Sequence, residues 1–380
     1  MKIIIVVPYL TAIGGASRFA WEFSEYLALK GDQVVVVSLF TDRTLYTSKE
    51  NIKIIDLADR TSFTQTLKFW VNLGKISKKL SLLVKNEKPD LVFFNHFPCM
   101  LWVQKYDNIP IICYPEDIAF LYSDNYTKNL PLWKYVLWNI IRIFVRIYDR
   151  KKWKCFDHVI CNSKFTANHV SRVYGIKPTL IYFGTNTEVF TNYNLHYKSR
   201  AILSMGDTRI RRADLLLKAA SKLHQKRNDF KIWIVGNNGQ LDKKYKKLVA
   251  KYNLTEVVEF FGRVNDSTLA KLYSEALAVV HLVKEAPFGF IVIEAMACET
   301  PVIAWKPGGT EESIIHGETG FLIEENDSDG LIKYMEKFLD EPQLSHVMGK
   351  KGRLRIQNYF DKSKQNNQLR EFLLNCIHKN

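Results

Sequence analysis

Lys2-Ile-Ile-Ile-Val-Val-Pro8, then Gly14-Gly15, then the helical spacing of Ala16–Lys30, then Gln33-Val-Val-Val-Val-Ser-Leu-Phe40, is the stretch that decides the fold. The first and last pieces are continuous β-branched runs of the kind buried on both faces of a parallel sheet. Between them Phe19, Phe23, Tyr26 and Leu27 recur at helical spacing. Strand, glycine turn, helix, strand is a βαβ unit. The cycle continues with apolar runs at Leu91–Asn95, Ile109–Tyr114, His158–Cys161 and Thr179–Phe183, separated by helical stretches.

After the polar stretch Thr191–Arg200 a second series begins. Its strands are read at Ala201–Met205, Lys231–Val235, Val257–Phe261, Ala278–Leu282, Val302–Ala304 and Gly320–Ile323. Two successive series predict an α/β protein of two doubly wound, Rossmann-like domains facing each other across a cleft. The boundaries are drawn at 1–190 and 199–360, with a terminal helix over about 361–380 expected to pack back on the first domain. Ligands of open α/β sheets sit beyond the carboxyl ends of the strands, so the residues just after each strand are the ones to search.

Composition agrees with this class. The 380 residues are 47% hydrophobic and 24% charged, enough to bury two cores and too apolar for a disordered chain. No apolar run reaches the length of a membrane-spanning helix, and the first residues turn polar too early for a signal peptide, so a cytoplasmic protein is expected. The six cysteines (Cys99, Cys113, Cys155, Cys161, Cys298 and Cys376) form no Cys-x-x-Cys pair. Neither a disulfide framework nor a zinc site is indicated, and the thiols are expected reduced and mostly packed.

The richest stretch runs from His281 to Ala304: a strand end, the loop Val283-Lys-Glu-Ala-Pro-Phe-Gly289, and a helix from about Phe290. Backbone N–H groups at that helix start would attract a phosphate, with Glu294 one turn in placed to accept from ribose hydroxyls. Taken alone, the stretch reads equally well as a strand-turn-helix with an exposed glutamate.

Together with Pro307-Gly-Gly-Thr-Glu-Glu312, Gly317-Glu-Thr-Gly-Phe-Leu322, Phe261-Gly-Arg-Val264, Asp157-His-Val-Ile-Cys-Asn-Ser-Lys-Phe-Thr-Ala167 and the Gly14-Gly15 turn, this stretch resembles glycosyltransferase family 4, retaining enzymes of the GT-B fold. The resemblance is densest over residues 200–323. It implies transfer of a sugar from a nucleotide donor with retained anomeric configuration; taken with the basic segment described below, the expected reaction moves a hexose to a lipid-linked or glycan acceptor. The donor would be bound by Gly15, Arg209, Arg211, Arg263, Val264, Phe288, Gly289, Phe290 and Glu294. The nucleotide sugar is a substrate, so no cofactor is implied.

The sequence departs from the family at one telling place. The family sets two glutamates eight positions apart, and counting back from Glu294 reaches Ala286, with Glu285 one residue early. Loops accommodate single insertions cheaply, so Glu285 is expected still to reach the transferred sugar. Charge building on the leaving diphosphate needs fixed cations where no metal is used, and Gly206-Asp-Thr-Arg-Ile-Arg-Arg-Ala213 supplies Arg209 and Arg211. Arg212 is read equally as part of a solvated basic loop. Gly14-Gly15 is not a dinucleotide fingerprint, which argues against nicotinamide chemistry. Asp327-Ser-Asp329 reads as a helix cap rather than a metal motif, so no metal is expected. His96 and Asp117 each follow a strand and are candidates to orient or deprotonate the acceptor hydroxyl, although the family more often has a histidine where this chain has Pro115-Glu116-Asp117.

With 54 Lys+Arg against 39 Asp+Glu the net charge is +15. Residues 128–154 hold eight of those cations against Asp149 alone. Arg142, Arg146 and Arg150 are read as one helical face opposite Ile140, Ile141, Phe144, Val145 and Tyr148. Such a helix is expected to lie on an anionic membrane, making the protein peripheral at the inner membrane face. The alternative is an ordinary amphipathic helix of the first domain. Two further functions remain open at this level: a GT-B sugar-nucleotide epimerase and a basic polyanion-binding protein. For the second, no specific nucleic-acid motif is present.

Overall fold

The computed structural model describes residues 1–11, 15–58, 67–116, 119–122, 132–193, 198–236 and 239–378. The chain divides into two compact units, Met1–Tyr182 with Asn366–Asn380, and Phe183–Gln365.

The first unit contains β1 (Lys2–Val6), α1 (Gly15–Leu29), β2 (Gln33–Ser38), β3 (Ile52–Asp56), α2 (Leu67–Glu87), β4 (Leu91–Asn95), β5 (Ile111–Tyr114), α3 (Ala119–Tyr122), α4 (Leu132–Trp153), β6 (His158–Cys161), α5 (Lys164–Tyr174) and β7 (Thr179–Leu180). Its parallel sheet has the order β3-β2-β1-β4-β5-β6-β7. Ile3 pairs with Val34 on one side and Leu91 on the other, which puts β1 in the interior of the sheet and leaves Ile3–Val6 fully buried. The β-branched run is therefore explained by burial on both faces. β3 was not anticipated. It is an outer strand in which Ile52 and Ile54 are buried while Lys53 faces solvent.

The second unit contains β8 (Ser199–Met205), α6 (Ala213–His224), β9 (Lys231–Val235), α7 (Gly239–Lys251), β10 (Val258–Gly262), α8 (Asp266–Glu275), β11 (Ala276–His281), α9 (Phe290–Ala297), β12 (Val302–Trp305), α10 (Thr310–Ser313), β13 (Gly320–Ile323), α11 (Ser328–Asp340) and α12 (Pro342–Tyr359). Its sheet runs β10-β9-β8-β11-β12-β13, again all parallel. Ile202, Ile232, Ile234 and Ile303 of the strands pack with Leu216 and Leu217 of α6 and Met335 and Phe338 of α11. Asp327 caps α11 by accepting a hydrogen bond from Gly330 N at 2.8 Å, as its place in the sequence suggested.

The final helix, α13 (Lys362–His378), begins in the second unit, and its residues from Asn366 onward belong to the first. There Arg370 donates to Asp32 at 2.7 and 3.2 Å, while the amino terminus reaches the same carboxylate at 2.9 Å. Of the polar stretch Thr191–Arg200, residues 194–197 lie outside the described residues. Lys198, near the end of the stretch, has its ammonium buried against the Ser274 and Ala276 carbonyls and the Thr300 hydroxyl, at 3.0, 3.0 and 2.8 Å. Burial pulls its pKa down to about 8.

Candidate active site

In each sheet the strand order reverses once, between β1 and β4 in the first unit and between β8 and β11 in the second. The chain leaves neighbouring strands in opposite directions at such a point, opening a crevice beyond their carboxyl ends. In the second unit that crevice is bounded by the residues after β8 and after β11, the two segments singled out from sequence.

After β8 the chain turns at Gly206, where a Cβ would lie 2.5 Å from Ile234 Cγ2. Arg209–Arg211 forms a single 3-10 turn, and Arg212, in the left-handed region at φ 53°, starts α6. Arg209 is exposed. Arg211 is half-buried and donates from Nε to Asp207 Oδ1 at 2.5 Å, an ion pair closed across the turn. Arg212 pairs with Asp214 at 3.3 Å, and its guanidinium lies 5.9 Å from the centre of the Trp305 ring.

His281 ends β11 with 5% of its surface exposed, and its Nε2 has no hydrogen-bond partner among the described residues. Burial, assisted by the positive charge of Arg211, pushes its pKa down to about 3, so the imidazole is neutral at physiological pH. The following loop is held from several sides. Lys284 pairs with Glu325 at 2.6 Å; Glu285 takes the left-handed conformation at φ 50°; Ala286 is buried and its carbonyl accepts from Gly309 N at 2.7 Å. Phe288 is buried against Phe183 and Phe360, while Phe290 stacks on Phe183 at 4.8 Å. Phe288 therefore offers a ligand its backbone, not its ring.

Gly289, at φ 95°, is the N-cap of α9, and no side chain caps that helix. A Cβ here would meet Val292 Cγ2, Thr310 Cγ2 and His281 Nε2 at 3.3, 3.4 and 3.6 Å, a tight fit, and the positive φ is what favours glycine. An uncapped helix start with positive dipole character is a site for an anion. Glu294 sits one turn into α9, 4% exposed and flanked by buried Ile293 and Ala295. Arg263 and Val264 follow β10, two strands away from β8 across the sheet, a lateral distance of about 10 Å at ordinary strand spacing.

In the first unit, Gly15 opens α1 and His96 follows β4 at φ 69°, so both lie at the β1/β4 reversal. Asn95 Nδ2 ties them together by donating to Ala16 O at 3.2 Å. Gly14 and Asp117 lie outside the described residues. Sequence reasoning gave no role to Asn95, Asn162 or His281. All three are polar residues at or just beyond strand ends and are almost fully buried. A polar residue closing an apolar strand was the signal available for each.

The basic face read on α4 is corrected by the structure. Arg142 is 8% exposed, and Arg146 donates to Leu121 O at 2.8 Å with its guanidinium 5.0 Å from the Tyr122 ring centre. Asp149, on the same side, accepts from Tyr122, Tyr174 and Trp153 at 3.0, 2.6 and 3.1 Å. The polar side of α4 faces the domain, and of the three arginines only Arg150 is exposed. Residues 128–131 lie outside the described residues.

Two family models divide almost the whole chain between them. "Glycosyltransferase Family 4" matches residues 13–189, and "Glycosyl transferases group 1" matches 187–355. The chain belongs to glycosyltransferase family 4. An uncharacterised glycosyltransferase of Haemophilus influenzae is 25% identical over 94% of this chain and 96% of its own length. One from Methanocaldococcus jannaschii is 28% identical over 52% of this chain, a match spanning only 54% of that relative. Among solved structures, sucrose-phosphate synthase of Thermosynechococcus elongatus matches with TM-score 0.84 and 22% identity over all of both chains. Anabaena HepE in complex with UDP and glucose matches with TM-score 0.77 and 18% identity, covering 99% of this chain and 100% of that one. The fold of this family 4 protein is thus GT-B, with two Rossmann-like domains.

Proposed function

We propose that this glycosyltransferase is a retaining, metal-independent hexosyltransferase that carries a sugar from a nucleotide donor to a lipid-linked or glycan acceptor at the inner face of the membrane. The observation that carries the reading is the uncapped start of α9 at Gly289, beside the β8/β11 reversal, with Arg209 and Arg211 at the neighbouring strand end. As the bond from the anomeric carbon to the diphosphate breaks, negative charge grows on the leaving oxygen. Fixed helix N–H groups and guanidinium groups stabilise that charge more than they stabilise the ground state. Glu294 is assigned to the ribose hydroxyls and Glu285 to the transferred sugar. His96 and Asp117 are assigned to the acceptor hydroxyl, whose oxygen forms the new bond and whose proton must be removed. HepE, crystallised with UDP and glucose, supports a nucleotide-sugar donor for this chain as well.

The test is a thermal-shift screen against UDP- and GDP-sugars, with and without EDTA, followed by NMR of the product. A donor at a hundred times its dissociation constant should stabilise by about 2.7 kcal/mol, a rise of roughly 5–10 °C. Turnover should survive EDTA, and the product should keep the donor's anomeric configuration. If no nucleotide sugar or nucleoside diphosphate moves the transition, the reading fails.

A further inference from the structure

The helix α4 is amphipathic with its apolar side turned outward. Trp133, Leu137, Ile140, Ile143, Phe144 and Ile147 are each about half exposed or more, with Phe144 at 69% and Trp133 at 66%. Their spacing of three and four residues places them along one stripe. From residue 132 to residue 147 that stripe is about 22 Å long at the rise of an α-helix. Large side chains exposed to this degree amount to an apolar patch on the order of 500 Å², at the upper end of what single soluble proteins leave open.

The inner side explains why the helix cannot simply roll over. Arg142 is buried, Arg146 is bonded to the Leu121 carbonyl, and Asp149 is held by two tyrosine hydroxyls and an indole N–H. Rotating the stripe inward would break the bonds to Leu121, Tyr122 and Tyr174 and strand buried polar groups. The orientation is fixed by these polar bonds together with the buried Val145 and Trp153.

We infer that the apolar stripe of α4 is the surface by which the protein docks on a lipid bilayer, inserting among the headgroups and upper acyl chains. The inference rests on the membrane-face reading above and deepens it by naming the surface and reversing the expected driving force. Arg150, Lys151 and Lys154 are exposed where the stripe ends, set to meet lipid phosphates while the stripe is buried. A second copy of this chain would bring the same basic cluster into the interface, like charge against like. An anionic leaflet brings the complementary sign, and the protein's net charge of +15 favours it.

The experiment is co-sedimentation of the full chain with phosphatidylcholine vesicles, with and without phosphatidylglycerol, as salt is raised from about 0.1 M to about 1 M. Wild type should bind the anionic vesicles and keep most of that binding at high salt, because apolar insertion is not screened. Ile140→Glu with Phe144→Glu should lower partitioning by about a hundredfold or more. Both side chains are exposed, so the fold should survive, as an unchanged melting temperature will verify. As a measurement needing no loss of binding, lipids brominated on the acyl chain should quench wild-type fluorescence, and Trp133→Phe should remove that quenching. Vesicle binding that persists in the double variant, or quenching unchanged in Trp133→Phe, overturns the docking surface and leaves membrane association itself standing. Wild-type protein that binds no vesicle but dimerises through α4 overturns both. Nucleotide binding, measured separately by calorimetry with UDP and GDP, shows independently whether the transferase reading holds.

Discussion

Replacing Gly309 with alanine should dismantle the candidate donor site without touching a charged residue. The new Cβ would fall 2.3 Å from Pro287 O and 2.7 Å from Phe288 Cα, both in the loop that leads to α9. Those are backbone atoms, so the strain cannot be relieved by a rotamer change. The loop carrying Gly308 and Gly309 must back away, and the bond from Gly309 N to Ala286 O, 2.7 Å in the wild type, lengthens or breaks. Overpacking of this kind costs about 1–3 kcal/mol and the lost hydrogen bond about 0.5–1.5 more, together roughly 2–4 kcal/mol. At about 2–4 °C per kcal/mol for a unit of this size, the melting temperature should fall by roughly 4–16 °C. UDP or GDP binding should weaken too, because the displaced segment sets the first turn of α9. Scanning calorimetry and isothermal titration read the two effects. Gly74→Ala is the control: Gly74 lies in α2 with nothing within 4 Å of its added Cβ, so it should gain about 0.5–1 kcal/mol from helix propensity. A Gly309→Ala protein that melts and binds like wild type would refute the interlocking of the two loops.

Glu294→Ala should weaken nucleotide-sugar binding by roughly 1.5–3 kcal/mol, read by titration calorimetry, since a ribose diol loses a charged acceptor; unchanged affinity removes Glu294 from the site. Asp32 provides a pH prediction. Burial raises its pKa, but the hydrogen bonds and charges of Arg370 and the amino terminus more than offset this, leaving it below the ordinary value. A carboxylate with a depressed folded pKa contributes stability that is present above the unfolded value, about 3.9, and is lost as pH falls through the folded value. Urea titrations should accordingly show wild type losing stability below about pH 4, and Asp32→Asn, which leaves Arg370 and the amino terminus without their carboxylate, should be destabilised by about 3–5 kcal/mol at neutral pH and lose less on acidification.

What the sequence disclosed and what it concealed follow from the physics of periodicity. β1, β4 and β11 were legible because strands buried on both faces are apolar along almost their whole length, as the four buried residues Leu91–Phe94 show before polar Asn95 closes the strand. β3 was missed because an outer strand alternates, and Ile-Lys-Ile is too short to separate from a loop. The α4 error is of another kind. Spacing shows which residues share a face and says nothing of which face turns inward, so Arg142 and Arg146 were wrongly turned out, while Arg150 is exposed as expected. The tyrosines that bind Asp149 and the carbonyl that binds Arg146 decide the direction, and they come from α3 and α5. The Asp207–Arg211 pair was within reach, since it joins residues four apart in a quoted motif. His281 was quoted as well, but its neutrality depends on burial and on the charge of Arg211 across the β8/β11 pair, neither of which spacing reports.

The charges around the β8/β11 reversal are largely paired, which accounts for the rigidity of this corner. Arg211 is paired with Asp207 and Arg212 with Asp214, whereas Arg209 is exposed and makes no ion pair among the described residues. Three guanidinium groups packed near a helix N-terminus would repel one another and the dipole if no acid stood between them. The two aspartates remove most of that repulsion, and they hold Arg211 in place before any ligand arrives, so little side-chain entropy is lost on binding. His281, at the end of β11, is kept uncharged by its burial and so adds no further positive charge. The positive character left over belongs to Arg209 and the α9 N-terminus. On the function proposed above, a corner arranged in this way receives an anion that arrives from solvent, and because α9 is buried along most of its length its N–H groups act where screening by water is reduced.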